Sequence, residues 1–213
     1  MGLIRFYHRE SIQMKKRNEL PNYKKITLTI DKNKILKVLE DNKDNLVQYR
    51  DSLNVKCATP YLSELYEQIP ITELTEGSDY TLPLAGHRDV KYDERNYTTL
   101  VKCLRGTYVE EVINMFKSPA TRARFIIKKP GAHILPHMDY DTTYSVRYFI
   151  PLKTNEWSFT AVQRKDEQPE LLNMKADGSV YFVNQGYTHS AWNFGKEDCI
   201  RLVVAVNGQE DLH

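Results

Sequence analysis

The chain contains no apolar run near the roughly 18 residues that a membrane-spanning helix needs, so no span is expected. Its first residues, MGLIRFYHRESIQMKKRNE, have no uninterrupted apolar core and no small-residue cleavage site. They are not expected to act as a secretory signal. The chain starts Met-Gly, but a myristoylation signal wants Ser or Thr at the sixth position, where Phe6 stands. Cysteine is scarce: Cys57, Cys103 and Cys199 are the only three, and none forms a CxxC pair. Their number is also odd. The expectation is a reduced, cytoplasmic setting with all three as small buried hydrophobes. An excess of one charge is also missing, since 30 basic residues face 28 acidic ones. Neither a nucleic acid nor an acidic membrane is an expected partner, because such binding draws on clustered Lys and Arg. The one short basic run, MKKR at 14–17, reads as a solvated face. There is no internal repeat and no low-complexity segment.

At 213 residues the chain can bury a sizeable core. Its first 120 residues mix element types. The β-branched alternation KKITLTI (24–30) predicts a strand. Asp31 is placed to cap a helix over 32–53, where Ile35, Leu36, Val38 and Leu39 recur near helical period. SELYEQI (63–69) is a short helix candidate, and SDYTLPLAGH (78–87) a strand. GTYVEEVINMFK (106–117) reads as a helix with Val109, Val112, Ile113 and Phe116 on one face.

From Thr121 the texture changes. Eight short extended runs follow one another: RARFIIKK, HILPHMD, YSVRYFIPLK, WSFTAVQR, PELLNMKA, SVYFVNQG, HSAWNF and CIRLVVAVNG. Several end in turn signals such as Pro-Gly and Asp-Gly. This is the pattern of a closed or double-sheet β architecture, and eight strands favour a jelly roll. The expected fold class is mainly β with α (α+β). The expected division is an N-terminal α/β extension, 1–120, supporting a β core, 121–213. Pro151 within YFIPLK predicts an edge position or a bulge.

Within PHMD, strand alternation projects His137 and Asp139 to the same side. His189 follows 52 residues later, after a turn, on a strand that a roll can bring alongside. Two histidines and one carboxylate on one side of a metal form a facial triad, which leaves open positions and suits non-haem Fe(II) and oxygen chemistry. Arg201 lies 12 residues beyond His189, mid-way along an apolar strand. A guanidinium buried there needs a carboxylate, supplied by a ligand or by the protein. By parity His133 shares a face with His137 and reads as an exposed or core-satisfied histidine.

HxD…H followed by Arg on the last strand resembles the Fe(II)/2-oxoglutarate-dependent oxygenases of double-stranded β-helix (jelly roll, cupin-like) fold. The nearest resemblance is to their aspartyl/asparaginyl β-hydroxylase-like group, which also resembles bacterial proline hydroxylases. PGAHILPH (130–137), RYFIPL (147–152) and HSAWN (189–193) carry it. The resemblance implies His137, Asp139 and His189 as iron ligands and Arg201 on the distal carboxylate of 2-oxoglutarate. It implies a further cosubstrate contact for Arg147. It also implies O2 as co-reactant, with ascorbate helpful. There are departures. Asp139 is present where the aspartyl hydroxylase itself lacks a carboxylate ligand. Phe149 replaces the histidine of the Arg-x-His strand, and Ile126 stands where that branch has a serine.

An apolar lining of Phe149, Trp192, Tyr181 and Val203 is expected around the metal. The substrate candidates are Arg124 or Arg122 for a carboxylate, and Trp192. His87 and Arg88 sit in a polar stretch that could cover the pocket. Three readings stand side by side: a hydroxylase of an amino acid, free or within a peptide or protein; a non-catalytic metal-binding jelly roll that binds a small molecule; and an oxidative dealkylase of another substrate.

Overall fold

The computed structural model describes residues 14–46, 65–76 and 93–213. The strand expected at 78–87, His87, Arg88 and Cys57 lie outside the described residues. β1 (Tyr23–Thr29) leads into α1 (Lys32–Asp41). Asp31 caps that helix, its side chain accepting from the backbone N–H groups of Asn33 and Lys34. Next come β2 (Tyr66–Pro70), β3 (Thr72–Glu73), β4 (Thr99–Leu100) and α2 (Tyr108–Asn114). The remaining strands are β5 (Ala120–Lys128), β6 (His133–His137), β7 (Val146–Lys153), β8 (Ser158–Gln163), β9 (Glu170–Leu172), β10 (Ser179–Val183), β11 (Thr188–Asn193) and β12 (Cys199–Val206). All eight extended runs from Thr121 onward thus form strands.

Among the described residues β3 and β4 form a small two-stranded sheet, and the other strands form two larger ones: a six-stranded sheet ordered β1-β10-β7-β12-β5-β2 and a four-stranded sheet ordered β6-β11-β8-β9. This is the double-stranded β-helix. The N-terminal strands β1 and β2 extend both edges of the large sheet. The helix expected over 63–69 is instead strand β2 where it is described. Ile69 alternates with Tyr66 and Gln68, and pairing with β5 overrides local helix propensity.

The large sheet is buried on both faces. Phe125 and Ile127, Tyr148 and Ile150, Phe182, and Leu202 and Val204 pack outward against Ile35, Val109 and Val112 of the two helices. Ile126, Phe149, Tyr181 and Val203 pack inward, with Val162 and Met174, to form a second core. Each such side chain contributes roughly 1.5–3 kcal/mol of apolar burial. Alternation along β5, β7 and β12 therefore puts one residue set against the helices and the next inside the roll.

Pro151 does not lie on an edge strand. β7 runs between β10 and β12, and the register slips by one residue opposite Ile200 and Arg201, so the proline sits at a bulge. The Pro130-Gly131 turn enters β6 with Gly131 at φ +82°, a backbone region that favours glycine. Cys199 is buried, but Cys103 is only partly so, which corrects the expectation of full burial for all three. No helix among the described residues is long and apolar enough to cross a membrane.

Candidate metal centre

β6 and β11 are antiparallel neighbours, and His137 pairs with His189. Ile134 pairs with Ala191, so two residues of β6, Leu135 and Pro136, stand against the single Ser190 of β11. This bulge resets the alternation. His137 turns inward toward His189, whereas His133 pairs with Trp192 on the other face. The parity expected for His133 and His137 is therefore broken by the bulge.

Ligand atoms of His137, Asp139 and His189 all lie within 4.8 Å of one another. Each imidazole Nε2 is 3.9 Å from an Asp139 carboxylate oxygen. His137 Nδ1 lies 2.8 Å from the Leu135 carbonyl and His189 Nδ1 3.0 Å from that of Tyr187. A carbonyl only accepts, so both Nδ1 atoms carry the proton and both Nε2 atoms present the lone pair, the form in which a metal would take them. Burial pushes the His189 pKa down to about 3, helped by neighbouring His137. Burial also lowers that of His137. Both rings are thus held neutral, the form a metal ligand needs.

Asp139 is positioned from two sides. Its backbone N–H donates to the Gln185 carbonyl at 3.0 Å. Its carboxylate accepts from Arg147 Nη1. Arg147 also donates to Gln185 Oε1 at 3.0 Å and to Glu94 Oε2 at 2.9 Å. The Gln185 amide completes the ring, its Nε2 3.0 Å from His189 Nε2. It donates to the very lone pair that a metal would take. Glu94 stands on a short 3-10 turn, Glu94–Asn96, and meets Arg122 Nη1 at 3.2 Å as well. Burial alone would raise the Glu94 pKa, but Arg147, Arg122 and Arg124 overcome it and hold it at about 2.

Arg201 lies farther along the inner face. Its side chain is buried and donates to Thr160 Oγ1 at 3.4 Å, with the guanidinium carbon 5.5 Å from the Phe149 ring centroid. Among the described residues it makes no ion pair. A small cavity of about 10 Å3 lies beside it, walled by Arg201, Ser158, Thr160, Pro151, Leu172 and Met174. Burial lowers the Arg201 pKa, as expected of a cation without a counter-charge.

The other expected residues divide. Phe149, Tyr181 and Val203 line the second core beside the triad. Arg122 and Arg124 are buried on the inner face, not solvated. Trp192 does not reach the interior. It pairs with Phe159 on the outward side of β11 and stacks on Phe194 at 6.3 Å. That corrects its place in the lining and as a substrate contact, since His189 and Ala191 take the inward positions of this strand. Sequence reasoning missed Gln185 and Glu94. Gln185 had a detectable signal in its place four residues before His189, whereas Glu94 is distant in sequence and carries no motif.

A family model for aspartyl/asparaginyl β-hydroxylase matches residues 79–208. No curated protein matches the chain. Among solved structures, a 2OG-Fe(II) oxygenase family oxidoreductase from Burkholderia pseudomallei is 12% identical with a TM-score of 0.42, over 67% of this chain and 68% of that one. A prolyl-4-hydroxylase from Pseudomonas putida is 10% identical with a TM-score of 0.49, over 87% and 91%. An oxalate decarboxylase from Lactobacillus farciminis is 15% identical with a TM-score of 0.39, over 68% of this chain and only 30% of that one.

Proposed function

The chain belongs to the aspartyl/asparaginyl β-hydroxylase family and is an oxygenase; from that premise we propose that it hydroxylates a small-molecule or peptide substrate with Fe(II), 2-oxoglutarate and O2. The observation that carries this reading is the convergence of His137, Asp139 and His189, all with ligand atoms within 4.8 Å of one another. Their donor set, two neutral imidazoles and one carboxylate, fits Fe(II) and leaves coordination positions open. The balanced reaction converts R–H, 2-oxoglutarate and O2 into R–OH, succinate and CO2.

His137, Asp139 and His189 would hold the iron, which when bound supplies the oxygen activation. The residues of this chain do the positioning. The Leu135 and Tyr187 carbonyls fix the imidazole tautomers. Arg147 aims the Asp139 carboxylate, which supports a positioning role for it beside or instead of a cosubstrate contact. Arg201 is the group for the distal carboxylate of 2-oxoglutarate, with the Thr160 hydroxyl as a second donor. Phe149, Val203, Tyr181 and Met174 keep the surrounding wall apolar and water out.

The test is succinate formation from 2-oxoglutarate by the purified protein with Fe(II) and ascorbate in air, beside His137→Ala. Iron-dependent succinate in the wild type alone supports the reading. If neither turnover nor anaerobic binding of 2-oxoglutarate is found, it fails.

A further inference from the structure

The outer face of the four-stranded sheet departs from the rule that an open sheet face carries polar side chains. Alternation along β8 and β11 sends Ser158, Thr160 and Val162, with Asn193, Ala191 and His189, into the roll, where all six are buried. The residues between them point outward as facing pairs: Phe159 with Trp192, Ala161 with Ser190, and Gln163 with Thr188. The two columns run on past the strand ends. There the Phe194 N–H donates to the Trp157 carbonyl at 3.0 Å, and both side chains border one hollow.

Four aromatic side chains thus occupy two successive rungs, and the rings of Trp192 and Phe194 lie within 13° of parallel. Leu171 of β9 faces Ala161, and Leu135 of β6 flanks the ladder from the other edge. None of these outward positions is Asp, Glu, Lys or Arg. Among the described residues, no element covers them. Trp157 is 56% exposed, Phe194 66%, Leu171 59% and Leu135 44%. Both helices pack instead on the far side of the large sheet.

Together these side chains offer on the order of 500 Å2 of apolar surface, a size at which a patch marks an interaction site. At about 60% apolar, the usual share for an interface, that core fits a contact of roughly 800 Å2 per partner, the size of a stable complex. The charge pattern selects the partner. A nucleic acid or an anionic membrane would need clustered cations beside the aromatics, and the face has none. One charge of each sign borders it instead: Glu156 and Lys196 stand with Trp157 and Phe194 around a hollow of about 660 Å3. A two-fold contact sets a patch against its own copy, so a patch of one charge repels itself and a neutral one with a balanced rim does not.

We propose that the outer face of the four-stranded sheet is the two-fold interface of a homodimer, with Trp157 and Phe194 as its anchors. His189 points to the opposite side of the same sheet, so the contact forms without the metal centre. The inference does not depend on the reaction proposed above.

The experiment is sedimentation velocity of the full chain over a concentration series, read beside tryptophan fluorescence. The chain has two tryptophans, Trp157 and Trp192, and both lie on this face, so their emission reports on it alone. The expected species has twice the 24.9 kDa of one chain. Its dissociation, by dilution or by substitution, should move the emission to the red and raise quenching by acrylamide. Phe194→Glu should weaken the dimer at least about 30-fold, as loss of an interface anchor does. Leu171→Glu, on a different strand, should weaken it too. Both side chains are exposed, so both variants should keep cooperative unfolding. The proposal is overturned if the wild type is monomeric at about 100 μM, above the micromolar upper end for interfaces of this size. In such a monomer, shielded tryptophans would assign the face to other residues of the chain itself. Flotation with vesicles of phosphatidylcholine and phosphatidylserine would assign it to a membrane. The proposal is also overturned by a dimer that both variants leave intact, or by one whose dissociation leaves the emission unchanged, since either puts the contact elsewhere.

Discussion

The guanidinium of Arg147 grips the carboxylate of Asp139 and, with its other terminal nitrogen, the buried carboxylate of Glu94 at 2.9 Å. One side chain thus ties a candidate iron ligand to the turn that closes the end of the sheet. Asp139 lies beyond the end of β6, so strand pairing alone does not fix it. Arg147→Met should therefore act twice. Metal affinity should fall about 10- to 100-fold, the usual loss when a ligand's supporting partner is removed. Stability should fall by about 3 kcal/mol because a buried carboxylate loses a partner. Metal titration and chemical denaturation measure the two. Unchanged iron affinity would mean that Asp139 is oriented without Arg147.

Arg201 should behave in the opposite way toward the fold. Among the described residues it has no carboxylate to lose, so Arg201→Met should leave stability equal or raised. The requirement for 2-oxoglutarate should rise steeply, since a buried charge-assisted pair is worth about 2–5 kcal/mol. Binding of 2-oxoglutarate to the anaerobic protein measures the second effect and thermal unfolding the first. An unchanged affinity would move the cosubstrate elsewhere on the face.

The strands from β5 to β12 were legible because apolar residues recur along them in short extended runs and turn residues punctuate these. So was the triad, because HxD and a late histidine are local signals. What was not legible depends on pairing. SELYEQI reads as a helix in isolation and becomes a strand only because β5 offers it an edge. The inward turn of His137 needs the bulge at Leu135 and Pro136, and counting along β6 alone gives the wrong partner in His133. Trp192 looked like a lining residue by proximity to His189, but the strand puts it outside. Glu94 belongs to the site only through arginines 28 and 53 positions away in sequence, a relation no local pattern encodes.

Acid should destabilise the metal-free protein in two stages. His189 is held neutral, with its pKa lowered from 6.5 to about 3. The unfolded chain then binds the extra proton, so stability falls as pH drops from about 6.5 toward 3. Glu94 is held ionised, with its pKa lowered from 4.5 to about 2. Its contribution is present above the unfolded value and lost between about 4.5 and 2. Denaturant midpoints across this range should slope downward toward acid. Glu94→Gln should flatten the lower stage and leave the upper one. A slope below pH 4.5 that is unaltered in this variant would assign it to other carboxylates.

Gln185 offers the least expected outcome. Its amide donates to His189 Nε2 at 3.0 Å, so a metal must displace that hydrogen bond to bind. A net hydrogen bond is worth about 0.5–1.5 kcal/mol. Removing it should therefore tighten metal binding, by roughly two- to tenfold, rather than weaken it. The same amide accepts from Arg147 at 3.0 Å, but Arg147 keeps both carboxylate partners without it. Asp139 also keeps its backbone contact, because the Gln185 carbonyl survives any side-chain change. Anaerobic Fe(II) or Mn(II) titration of Gln185→Ala against the wild type decides the matter. Tighter binding means that the amide is a placeholder in the metal-free site. Weaker binding means that Gln185 supports the loaded centre, through Arg147 or through the metal's own water.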